Sequence, residues 1–105
     1  MGQHGDVRVE DEDSLWVMAG EIDAAVQARY EELLVDAAAR ADRRLVIDLS
    51  AVTFMDSGGL RLLYHAAEQS SEPPLLRGVT DRIVDLLELS GVAGLFAIDL
   101  AEPAT

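Results

Sequence analysis

LVIDLSAVTFMDSGGLRLL, residues 45–63, begins as a nearly continuous apolar run, breaks on Asp56 and Ser57, places two glycines at 58 and 59, and returns at once to leucine periodicity. Over 45–50 the run is interrupted only by Asp48, and its length and β-branched content are those of a buried strand. From Leu60 the spacing changes. Leu60, Leu63, Tyr64 and Ala67 share one helical face, while Arg61, His65 and Glu68 lie elsewhere. A buried strand passing through a short loop into an amphipathic helix is the repeating unit of α/β sheets.

Upstream, VRVE at 7–10 and LWVMA at 15–19 flank the polar turn DEDS and read as a β-hairpin, with Gly20 ending its second strand. Asp23 then stands where a helix N-cap belongs, ahead of AAVQARYEELLVDAAARA. Val26, Tyr30, Leu33, Leu34, Ala37 and Ala41 recur at helical spacing along it. Downstream, the prolines of SSEPP at 70–74 force a loop. PLLRGV supplies a short strand, and Thr80 or Asp81 caps a helix over DRIVDLLELS that Gly91 stops. LFAIDL at 95–100 is the last strand. The order ββαβαβαβ predicts a single α/β domain: a mostly parallel mixed sheet with an N-terminal β-hairpin. We place the domain at 5–101, with 1–4 and 102–105 as short flexible ends.

The chain has 105 residues, enough for one domain that buries a core without disulfides or metal. Half of it is hydrophobic and few residues are aromatic, so the core should be aliphatic. It has no cysteine, which excludes disulfide and thiolate-metal scaffolds and fits the cytoplasm. No apolar run approaches the roughly 20 residues of a membrane span, and no membrane association is expected. Twenty acidic residues against eight basic ones give a formal charge of −12, and every basic residue is arginine. That balance disfavours nucleic acid and anionic lipid and suits a protein partner with a basic face; a merely solvated surface would look the same.

Ser57 invites a catalytic reading, which geometry opposes. His65 lies eight residues on, about 12 Å along a helix axis, beyond hydrogen-bond reach. A nucleophile elbow needs glycine two residues before the serine, and Met55 stands there. A phosphate-binding G-x-x-x-x-G-K-[ST] loop is absent, and Asp48 as a phosphoacceptor would lack the lysine a receiver site needs. Two isolated histidines make no metal site, and EDED at 10–13 lacks calcium-loop spacing. No enzyme activity, cofactor or metal is expected.

Two readings of Ser57 remain open. It is an ordinary helix N-cap beside a tight turn. Alternatively it is a phosphoacceptor at a helix start, where unpaired N–H groups favour an anion and where Gly58 and Gly59 leave it unscreened.

GEIDAA at 20–25, LVIDLSAVTFMDSGGLRLL at 45–63 and GVTDRIVDLLELSGVAGLF at 78–96 together resemble the STAS family, specifically its stand-alone anti-sigma factor antagonists. DSGGL is the most specific block. The resemblance implies a bacterial binding protein that engages an anti-sigma factor, a serine kinase with a histidine-kinase-like fold, and so frees a sigma factor. It implies phosphorylation of Ser57 by that kinase and reversal by a serine phosphatase. Asp56 matches the neighbouring acid and Gly59 the motif glycine. The docking face it implies collects Glu21 and Asp23 from the loop after the second strand, the loop from Thr53 through Met55 and Asp56 to Ser57, Gly58 and Gly59, and Arg61 on the following helix. Asp23 serves equally as a cap, and Asp48 as an acid satisfied by backbone N–H groups. The alternative is a STAS binding module of a stressosome-like or lipid-transport assembly, without phosphorylation switching.

Overall fold

A computed structural model describes residues 4–102. The strands are β1 (Asp6–Glu10), β2 (Leu15–Ile22), β3 (Val46–Met55), β4 (Leu75–Val79) and β5 (Ala97–Leu100). The helices are α1 (Ala24–Arg40), α2 (Ser57–Gln69) and α3 (Asp81–Leu89), with a 3-10 turn at Ala93–Leu95 before β5. One sheet takes the strands in chain order, β1 antiparallel to β2 and all later neighbours parallel. The ββαβαβαβ order and the mixed sheet are those predicted.

Because the sheet order follows the chain and parallel crossovers are right-handed, the three helices cover one face. Alternation along the strands agrees: Trp16, Met18 and Ile22 of β2 and Ile47 and Leu49 of β3 are buried, with half-exposed residues between them. Leu34, Ala37 and Ala38 of α1, Leu62, Leu63 and Ala66 of α2 and Ile83 and Leu87 of α3 close the core from above. It is as aliphatic as the composition requires, Trp16 and Phe96 being its two aromatics among the described residues.

Expected boundaries move, the last strand among them, which starts at Ala97 because Ala93–Leu95 is a 3-10 turn. Gly20 does not end β2: it sits at φ +77, a conformation costly to other residues, and the strand kinks through it to Ile22. β3 continues past Ser50 to Met55, so Thr53 and Met55 belong to a strand rather than a loop. Its ten residues run alongside the eight of β2, with register shifts between Val17 and Ala19 and between Gly20 and Glu21. α2 begins at Ser57, three residues before Leu60. At the ends, His4 forms an isolated bridge with Glu21 in place of a loose terminus, while 1–3 and 103–105 lie outside the described residues.

Candidate functional site

The carboxyl ends of β2 and β3 lie side by side, Glu21 opposite Phe54 and Ile22 opposite Met55, and each runs straight into a helix. In parallel sheets this end, outside the strand termini, is where ligands and partners are met. Both helices start on an aspartate in extended conformation. Asp23 accepts a hydrogen bond from the Val26 amide at 3.1 Å, and Asp56 accepts from the Gly58 amide at 2.8 Å. Asp23 is therefore the expected cap. At α2 the cap is Asp56 and not Ser57, because the carboxylate reaches the orphan amide first and leaves serine as the first helical residue.

Ser57 is exposed, and among the described residues its hydroxyl makes no hydrogen bond. His65 is turned away from it, toward Glu31 of α1, with Nε2 2.7 Å from the carboxylate. Among the described residues no base is hydrogen-bonded to Ser57. Nor is the first turn fully open to an anion, since the Gly58 amide is already taken by the neighbouring acid.

The glycines have a structural reason that local sequence did not carry. A Cβ on Gly58 would stand 2.8 Å from Ala24 Cα, and one on Gly59 2.5 Å from Met55 Cγ and 2.6 Å from the Ile22 carbonyl oxygen. They let the start of α2 lie directly on the β2–α1 junction. Met55, Gly58 and Gly59, expected on the docking face, are buried beneath it. Thr53, Ser57 and Arg61 are exposed, and Glu21, Asp23 and Asp56 are half-buried.

Arg61, one turn beyond Ser57, donates Nε–H to Glu31 at 2.8 Å. Gln27 reaches the same carboxylate at 3.3 Å. An ionised carboxylate only accepts, so His65 carries its proton on Nε2. The His65 contact first, then Arg61 and Gln27, hold the Glu31 carboxyl down to about 2. Glu31 thus clasps α1 to α2 just behind Ser57.

On the other flank a recess of about 500 Å3 opens between the end of β3 and α3, lined by Val52, Phe54, Ile83, Leu86 and Leu89. Phe54 is 51% and Leu89 88% exposed there. Sequence reasoning passed over both. An aromatic three residues before Ser57 in TFMDSGG was the available signal for Phe54.

Asp48 stands apart, on the sheet face away from the helices. It accepts from the Ser50 amide at 2.9 Å and from Arg77 at 3.1 Å. Partial burial pushes its pKa up, but hydrogen bonds from the Ser50 hydroxyl and amide and from Arg77 outweigh this and leave it lowered. Its environment is that of a satisfied strand acid. Among the described residues no cluster of His, Cys, Asp and Glu could hold a metal ion, and no helix is long and apolar enough to cross a membrane.

This geometry can be set beside known proteins. The family model described as "Mlab, STAS domain" matches residues 6–100. The chain belongs to the STAS domain family. An anti-sigma-B factor antagonist of Listeria monocytogenes is 32% identical over 88 residues, covering 81% of this STAS chain and 77% of the relative. Its Staphylococcus aureus counterpart is 31% identical over 85 residues, 78% and 79% of the two chains. Among solved structures, an anti-sigma factor antagonist from Mycobacterium paratuberculosis superposes with TM-score 0.69 at 30% identity, over 91% of this chain and 86% of that one. The unphosphorylated anti-sigma factor antagonist SpoIIAA has TM-score 0.64 at 14% identity over 97% and 90%, a likeness of fold alone.

Proposed function

We propose that this STAS protein is an anti-sigma factor antagonist, a cytoplasmic binding regulator and not an enzyme. It engages an anti-sigma factor that is also a serine kinase with a histidine-kinase-like fold, and thereby releases a sigma factor. Transfer of the γ-phosphoryl group of ATP to Ser57 Oγ, with ADP leaving, switches it off; a serine phosphatase reverses this. The observation that carries the reading is the exposed, unbonded Ser57 hydroxyl on the first turn of α2, at the end of the sheet where Glu21, Asp23, Thr53 and Arg61 also reach the surface. The antagonist relatives support the role.

The physics of the switch is a differential one. A docked partner would cover Ser57, and a phosphate there adds about −1.5 to −2 charges and bulk to a desolvated contact, whereas in the free chain it stands in water. A tenfold loss of affinity needs about 1.4 kcal/mol. Incubation with the cognate kinase and ATP, followed by mass spectrometric mapping, tests it: phosphate is expected on Ser57, none on Ser57→Ala, and an unlabelled Ser57 would sink the switch.

A second reading rests on membership of the STAS family alone, without the antagonist role. It is a constitutive binding module of a lipid-transport or stressosome-like assembly. Under it, Ser57→Ala and Ser57→Asp bind the partner alike; under the first, Ser57→Asp binds at least about tenfold more weakly.

A further inference from the structure

We infer that Arg61 is the in-chain receiver of a phosphoryl group on Ser57, and that in turning to it Arg61 leaves Glu31 and loosens the clasp between α1 and α2. This rests on Ser57 being the acceptor. Ser57 and Arg61 are separated by four residues on one helix, so they are neighbours on its surface, with Cβ atoms about 5–6 Å apart. The order is the favourable one, anion toward the N-terminus and cation a turn later. Arg61 is the one arginine of α2. Among the described residues only its Nε is engaged, by Glu31, so the terminal nitrogens of the guanidinium fork give the phosphate its first hold before the Nε contact breaks.

The surroundings of Ser57 give the phosphate reason to seek that fork. Asp56 already holds the Gly58 amide and confronts a phosphate with a like charge. A phosphate dianion, with about twice the charge of a carboxylate and three acceptor oxygens, competes with Glu31 for the guanidinium. Glu31 can let Arg61 go, since His65 and Gln27 still donate to it.

The consequence reaches beyond the modified residue. The recess between the helices is lined by Glu31, Glu32, Asp36, Arg61 and His65, and Glu68 faces His65 at 3.5 Å. Withdrawing Arg61 leaves His65 as its one remaining cationic group, and only when the ring is doubly protonated. Phosphorylation then alters the charge of the α1 surface as well as that of Ser57, so a partner spanning both helices senses it twice.

The test installs phosphoserine at position 57 of the full chain during translation, which needs no kinase. Phosphorus NMR then follows the phosphate's second ionisation, and the His65 ring resonances are recorded with and without the phosphate. In the unsubstituted chain the phosphate is expected to be at least about threefold more acidic than in Arg61→Gln, about half a pH unit. The His65 resonances are expected to move on phosphorylation, and to move less in Arg61→Gln. Equal phosphate acidity in the two chains, or an unmoved His65 in the unsubstituted chain, overturns the inference. Arg61 is exposed, so the Gln variant is expected to fold, and the comparison of His65 with and without phosphate in the unsubstituted chain does not depend on it. Failure of a kinase to label Ser57 would be a separate result, removing the switch while leaving these readings intact.

Discussion

Gly58 faces Ala24 so closely that a Cβ on it would stand 2.8 Å from both the Ala24 Cα and its amide nitrogen. Both atoms are backbone at the start of a helix, and neither can be displaced without moving that helix. Gly59 is confined in the same way by the Ile22 carbonyl oxygen. Alanine gains about 1 kcal/mol over glycine in an isolated helix. Overpacking here costs more, about 1–3 kcal/mol. Gly58→Ala and Gly59→Ala are therefore expected to lower the urea midpoint although alanine is the better helix former. A raised midpoint would mean the two helix starts can separate freely.

Capping and acceptance fall on different residues. Asp56→Ala removes the carboxylate that serves the Gly58 amide and is expected to cost about 1 kcal/mol of stability, while Asp56→Asn keeps most of it. Ser57→Ala, at an exposed position with no bonded hydroxyl, should change stability by less than about 0.5 kcal/mol. Denaturant titration of the three variants checks this. A loss on Ser57→Ala equal to that on Asp56→Ala would return the cap to serine.

These contacts explain what the sequence could and could not disclose. A helix after Leu60 and capping by Asp23 and Thr80 depend on residues a few positions apart, and all are present in the fold; the face α2 buries is shifted to Leu62, Leu63 and Ala66, with Leu60 and Ala67 partly buried and Tyr64 exposed. MDSGG offers two good capping side chains in succession, and only the carboxylate's reach decides between them. The continuation of β3 over AVTFM was hidden because its extra residues against β2 destroy the alternation by which a strand is recognised. The constraint on Gly58 comes from Ala24, and the environment of Arg61 from Glu31, both on an element remote in sequence. No local pattern encodes such pairs.

Acid should expose the Glu31 clasp. Its carboxyl titrates at about 2 in the folded chain, against 4.5 ordinarily, so the unfolded chain binds the proton more readily. The stabilisation is thus fully present above about 4.5 and is lost as pH falls through about 2. Asp48, also lowered, acts in the same direction. Urea unfolding measured across this range should show stability declining with acid, and Glu31→Gln should flatten the decline. An identical pH profile for the variant would remove Glu31 from the account.

The β1–β2 turn holds stability in reserve. Asp11, Glu12 and Asp13 adopt φ of 52, 54 and 72 in succession, a left-handed run without glycine. It is held by the Ser14 hydroxyl donating to the Asp11 carbonyl at 2.7 Å and by Arg40 on Asp13 at 3.2 Å. Aspartate tolerates this region through local hydrogen bonds; glutamate, one methylene longer, has less means to do so. The Glu12 side chain is 82% exposed and only 3.5 Å from Arg43, a pair worth little. Left-handed backbone costs a non-glycine residue about 1–2 kcal/mol, against about 0.5–1 kcal/mol for the extra freedom glycine brings to the unfolded chain. Glu12→Gly is therefore expected to raise stability by about 0.5–1 kcal/mol, read as a higher urea midpoint with an unchanged slope. A lowered midpoint would show that the Arg43 pair outweighs the relief of strain.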